Sequence, residues 1–173
     1  EGYSAASGEN LIREDLCSEA IRLATVLTRL LKNDPGLNED AEALGLLALM
    51  LLHDSRRTAR TSAEGQIILL EEQDRKRWDT AKIEAGTAIL DRAMVLRNTG
   101  PYQIQAAISA LHADAKSPAD TDWHQISLLY QGLMQMSPDS PIIQLNHAVA
   151  VAMADGPLAG LGLLEPLESK LQD

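Results

Sequence analysis

From Glu9 to Lys32 the apolar residues Ile12, Leu16, Ala20, Leu23, Leu27 and Leu30 follow one another at intervals of 4, 4, 3, 4 and 3. That spacing draws one stripe down a long amphipathic helix, which Asn33-Asp34-Pro35-Gly36 ends. Glu39 to Asp54 contains LGLLALMLL and is apolar nearly all round, as suits a helix covered on several sides. Residues 55–66 are polar, with a turn signal at Ala63-Glu64-Gly65. Ile67 to Leu70 is too short to classify by period and reads as extended, leaving room for one small hairpin near residues 58–70. A second long helix is expected from about Asp74 to Arg97, with Asp74 as its N-cap and Trp78, Ala81, Ala85, Ala88, Ile89, Ala93 and Leu96 on its inner face.

The second half is punctuated by proline. Gly100-Pro101 opens PYQIQAAISALHADA, with Pro101 at the first helical position. KSPAD (116–120) is a loop, and a helix over Thr121–Met136 presents Trp123, Ile126, Leu129, Leu133 and Met136. Further helices begin at Pro141 and after Gly156-Pro157, and Pro166 ends or kinks the last pattern. Pro157 follows Asp122 by 35 positions, close to the roughly 34-residue tetratricopeptide period. PYQIQAAISALHAD also aligns with IIQLNHAVAVAMAD at an offset of 41, pairing Ala107 with Ala148, Ala113 with Ala154 and Asp114 with Asp155. The expectation is an all-α protein of about seven helices in antiparallel pairs, forming a tetratricopeptide-like right-handed α-solenoid or bundle. It is one helical domain over 1–173: residues 1–115 carry the inserted loop 55–72, and 116–173 the tetratricopeptide-like pairs.

Composition supports this reading. The chain has 173 residues, of which 45% are hydrophobic but only 3% aromatic, with no Phe. Such a core is built from Leu, Ala, Ile, Val and Met, the palette of packed helices. A net charge of −10 argues against unaided nucleic-acid binding and suits a cytoplasmic protein or one with a basic partner. No run of 18 apolar residues is present, and no signal peptide is expected. The single Cys17 rules out an internal disulfide and lies inside the first helix, where a small buried hydrophobe is expected.

The chemistry-bearing motifs are sparse. His53, His112, His124 and His147 show no metal-ligand spacing, so no metal or cofactor is expected. GxSxG, GxGxxG and GxxxxGK are absent. LLEEQDRKRWD (69–79) admits three readings: a carboxylate cluster, a basic phosphate grip, or the solvated start of a helix. Glu71 and Glu72 at a helix N-terminus and Asp74 as cap favour the last. Arg56, Arg57 and Arg60 follow a helix C-terminus, where cations complement the dipole or dock an acidic partner.

EGYSAASGENLIREDLCSEAIRL, LGLLALMLLHDSRRTAR, LLEEQDRKRWD, GPYQIQAAISALHADA and LNHAVAVAMADGP, in that order, resemble the C-terminal extension of a group of bacterial extracytoplasmic-function sigma factors. In that group a tetratricopeptide-like domain follows the two sigma regions, which are absent from this chain. The resemblance implies a non-enzymatic regulatory domain in transcription initiation. Its partners would be the sigma regions of the same polypeptide and RNA polymerase, with promoter DNA bound only through the missing regions and no membrane association. The matching residues nominated for a partner or ligand surface are Tyr3, His53, Asp54, Arg56, Arg57, Arg60, Glu71, Glu72, Asp74, Arg75, Trp78, Tyr102, Gln103, Gln105 and Asn146. An alternative is a small-molecule or peptide sensor with a pocket formed by His53, Arg57, Trp78 and Tyr102. A hydrolase using the carboxylates of 71–79 ranks last.

Overall fold

The computed structural model describes residues 14–34, 36, 39–62 and 65–165. It is all-helical: α1 (Glu14–Asn33), α2 (Ala41–Asp54), α3 (Thr80–Val95), α4 (Pro101–Asp114), α5 (Trp123–Met136), α6 (Pro141–Asp155) and α7 (Pro157–Leu164), with single 3-10 turns between some of them. The chain divides into two compact units, Glu1–Ala113 and Asp114–Asp173. Tyr3, the Ala63-Glu64 part of the expected turn and the expected break at Pro166 lie outside the described residues.

In the first unit α2 is the central helix, packed against α1 and α3. Ala41, Leu44, Gly45, Leu47, Ala48 and Leu52 of α2 are buried, which is why its sequence is apolar nearly all round. Ala48 and Leu52 meet Leu90 of α3 and Ala106 of α4 in a core cluster, backed by Ile83, Ile89, Ala107 and Ala110. Asp40 caps α2, its side chain accepting from the Ala43 N–H.

The structure settles which way the α1 stripe faces and corrects two expectations. The leucine stripe of α1 faces outward: Leu16, Leu23, Leu27 and Leu30 are exposed, while Cys17, Ala24 and Thr28 are buried. Small side chains let α1 lie close to α2, and the leucines are left on the far side. α3 begins at Thr80, capped by Asp79, while Asp74 caps only the 3-10 turn Arg75–Arg77. Its inner face is Gly86, Leu90 and Ala93, with Ala81, Ala85 and Ala88 exposed. Finally, residues 58–70 contain no strand among the described residues, only the isolated antiparallel bridge Thr61–Ile67 flanked by Ser62 N–H to Gln66 O and Ile68 N–H to Arg60 O.

In the second unit α5 packs on α6, and α6 on α7. Ile126 and Leu133 of α5 and Ala148 and Ala150 of α6 are buried. Asp122 and Ser140 cap α5 and α6. Gly156 joins α6 to α7 at φ 102°, a region that glycine alone enters without strain. Gly160 marks the closest approach of the two helices. A Cβ there would stand 2.5 Å from Ala152 Cβ and 2.7 Å from the Ala148 carbonyl oxygen. Gly160→Ala is therefore expected to cost about 1–3 kcal/mol through overpacking, in spite of the helix propensity gained. Urea denaturation measures this, and a stabilised variant would contradict the contact.

Candidate functional site

The residues nominated from sequence concentrate in the segment between α2 and α3, residues 55–79, and in the helix ends that it touches. Both ends of this segment are fastened. The Asp79 N–H donates to Ser55 O at 2.8 Å, and Thr58 Oγ1 donates to Arg77 O at 2.8 Å while the Arg77 guanidinium returns a bond to Thr58 O. Gln73, itself buried, donates from Nε2 to Ile68 O.

Asp54 is the buried electrostatic centre. Its side chain is 1% exposed, at the C-terminal end of α2 where the helix dipole disfavours an anion. Two cations offset this. Arg57 Nε donates to Oδ1 at 2.8 Å, and Lys82 Nζ of α3 lies 2.8 Å from Oδ2. Arg57 reaches on to Glu14 of α1 at 3.5 Å, and Lys82 to Asp79 at 3.4 Å. The cluster thus ties three helices through one carboxylate. Hydrogen bonding to Asp54 holds the Lys82 ammonium above its ordinary pKa. Beside it, Cys17 is buried, and burial pushes its thiol up, which makes it a poor nucleophile.

A second group surrounds Trp78, which is 6% exposed. The Arg75 guanidinium lies 4.8 Å from the ring centre and that of Arg56 5.7 Å, both cation–π distances. Arg75 also donates to the His112 carbonyl oxygen. His53 is pushed down to about 4 by burial and then by Arg56 and Arg60. His112 is likewise pushed down to about 4 by burial and by Arg56 and Arg75. Both imidazoles are neutral at pH 7. This group fastens α2, the 55–79 segment and the end of α4 around one indole.

Glu42 is a site residue that the sequence did not nominate. From α2 it caps α4: Oε2 accepts from the Tyr102 N–H at 2.8 Å and Oε1 from the Gln103 N–H at 3.0 Å. A carboxylate from another helix here satisfies orphan amides and the positive dipole end. Gly100 makes room, since a Cβ would overlap the Glu42 side chain. Gln103, 3% exposed, packs on Gly45 and donates to Asn98 O, whereas Tyr102 is 43% exposed.

The remaining nominees stand apart. Glu71 and Glu72 are exposed in the 3-10 turn Leu70–Glu72, and Asp74 is an exposed cap. Asp74 and Asp79 both accept backbone N–H bonds as caps. Gln105 donates to Pro101 O. Asn146 is exposed on α6 among Ile142, Val149 and Met153. His53 and Trp78 share the arginine-lined group, but Arg57 turns to Asp54 and Tyr102 heads α4 beside Glu42. Among the described residues no three His, Cys, Asp or Glu side chains gather as metal ligands, and no helix is long and apolar enough to cross a membrane.

The outward face of α1 carries Leu16, Leu23, Val26, Leu27 and Leu30, between 38% and 59% exposed. These positions repeat at helical intervals on one side, which makes them a continuous apolar ridge.

A family model described as a family of unknown function (DUF6596) matches residues 1–94. An uncharacterized protein of Rhizobium meliloti (strain 1021) is 50% identical over 171 residues, which cover 99% of this chain and 39% of that protein. The chain therefore spans about two fifths of the length of this relative. No solved structure matches.

Proposed function

The chain belongs to the DUF6596 family of unknown function, and on that premise we propose that it is a regulatory helical domain acting by protein–protein contact. In this reading it is the extension of an extracytoplasmic-function sigma factor, working in the cytoplasm without catalysis, with the sigma regions or RNA polymerase as partner. The observation that carries the reading is the exposed leucine ridge of α1, in contrast to α2 of the same unit, whose leucines Leu44, Leu47 and Leu52 are buried. A ridge spaced in this way fits a groove or helix of a partner. The sequence motifs supply the sigma-factor part of the reading. The length of the Rhizobium relative supports it too, since 61% of that protein (100 minus 39) lies beyond the match and leaves room for other regions.

The test uses the natural protein that contains residues 1–173 in a reconstituted transcription assay with its own promoter. Removing residues 1–173 is expected to change transcript yield several-fold. Leu23→Glu combined with Leu27→Glu, which spares the buried face of α1, should reproduce much of that change. Equal transcription from all three proteins would refute the proposal.

A further inference from the structure

Against its strongly acidic whole, the protein gathers three cations at one pocket. α1, α2 and α3 line an open cleft of about 230 Å³. Leu47 and Ile89 give it an apolar wall, with Thr25 and Thr28 beside them, and Arg29, Lys32 and Arg92 line the rest. Leu47 is 3% exposed and Thr28 8%, so this wall is fixed core, while Arg29, Lys32 and Arg92 lie at the solvent side. Arg92 pairs with Glu39. Among the described residues Arg29 and Lys32 make no ion pair and no side-chain hydrogen bond. Their positive charge is left to act across the opening.

The hydroxyl protons of the threonines are already committed. Thr25 Oγ1 donates to Ile21 O at 2.7 Å and Thr28 Oγ1 to Thr25 O at 3.0 Å. What these two oxygens offer a ligand is acceptor capacity. The pocket thus presents cations at its mouth, hydrocarbon from Leu47 and Ile89, and two acceptors. Its volume falls below the roughly 300–1,000 Å³ of drug-sized sites and equals seven or eight water volumes of about 30 Å³.

We propose that this pocket binds a small amphiphilic anion, a phosphate or carboxylate on a short aliphatic body. Arg29 and Lys32 hold the head group, with Arg92 as a third cation, and the aliphatic part lies on Leu47 and Ile89. Guanidinium suits either oxyanion through paired N–H donors, and ammonium adds a point charge. The ligand joins α1, which supplies Arg29 and Lys32, to α3, which supplies Arg92. Nothing in this inference requires a protein partner, so it stands apart from the regulatory reading.

Four probes separate charge from hydrocarbon: hexyl phosphate, hexanoate, inorganic phosphate and hexanol, each titrated into the isotope-labelled 173-residue chain and followed by backbone amide shifts. Hexyl phosphate or hexanoate is expected to give saturable shifts at Thr25–Lys32, Leu47 and Ile89, with a Kd of about 1 mM or tighter. Inorganic phosphate should bind at least about tenfold more weakly, the loss of about 1.4 kcal/mol of apolar contact. Hexanol should not saturate. Combining Arg29→Gln with Lys32→Gln, both exposed, should leave the thermal midpoint unchanged and weaken the amphiphilic anions at least about tenfold. The proposal is overturned if neither amphiphile saturates, if hexanol binds equally well, if the double variant keeps wild-type affinity, or if the shifts fall outside these residues.

Discussion

Asp54→Ala is expected to destabilise the first unit by about 3–5 kcal/mol, the range found when one member of a buried ion pair is removed. The carboxylate is 1% exposed and meets Arg57 on one oxygen and Lys82 on the other. Its removal leaves the Arg57 side chain, 15% exposed, facing a gap, with Glu14 and the Ser18 hydroxyl, both at 3.5 Å, as remaining partners. Lys82 fares better, because it is 35% exposed and keeps Asp79 at 3.4 Å. The larger part of the loss therefore passes through Arg57, and Arg57→Met in the Asp54→Leu background should recover much of it. Net stability of a domain is about 5–15 kcal/mol, so the single variant stands near the threshold of folding at 37 °C. Urea denaturation of the wild type and both variants measures these differences. A loss under about 1 kcal/mol for Asp54→Ala would show that the cluster is solvated rather than buried.

Part of that cluster was legible beforehand. Asp54 and Arg57 lie three apart, a spacing that brings side chains together around a helix end. Lys82, 28 positions later, could be found only by placing α3 against α2. The helices in the second half fell where the sequence placed them because Pro101, Pro141 and Pro157 act locally, through a fixed φ and a missing N–H. The start of α3 failed for the opposite reason. Asp74 and Asp79 are equally good caps by local chemistry, and both cap a helical turn. What makes Asp79 the true beginning is the Asp79 N–H bond to Ser55 O, a contact made across 24 residues.

α1 teaches a related lesson. Periodicity located its leucine stripe correctly but is silent on whether a stripe is covered. The competing face of Cys17, Ala24 and Thr28 is less apolar, yet it is the one buried, because small side chains allow close packing on α2. LLEEQDRKRWD likewise split into parts that no single local reading joined. Glu71 and Glu72 are solvated, Asp74 and Asp79 are caps, and Arg75 with Trp78 belongs to an aromatic–guanidinium group completed by Arg56, 19 residues before Arg75. Glu42 carried no recognisable signal at all, since its role depends on where α4 begins.

The protein should lose stability steeply as pH falls from about 6.5 towards about 4. His53 and His112 are each pushed down to about 4 in the folded state, first by burial and then by Arg56 with Arg60 or Arg75. In the unfolded chain both return to about 6.5. Between these values the unfolded chain binds protons that the folded one refuses, so unfolding is favoured as pH drops and stability rises with pH. Each unit of difference is worth 1.36 kcal/mol, which makes the ceiling about 3 kcal/mol for each histidine across the window. Carboxylates held low in the fold, such as Asp79 through its bonds from Lys82, withdraw their contribution only below their ordinary range and so act at lower pH. Urea midpoints measured at intervals from pH 7 to pH 4.5 give the slope. His53→Gln with His112→Gln should flatten most of it while costing little at pH 7, where both imidazoles are already neutral. An unchanged slope in the double variant would place the protonation elsewhere, with His147, also lowered by burial, as the group to replace next.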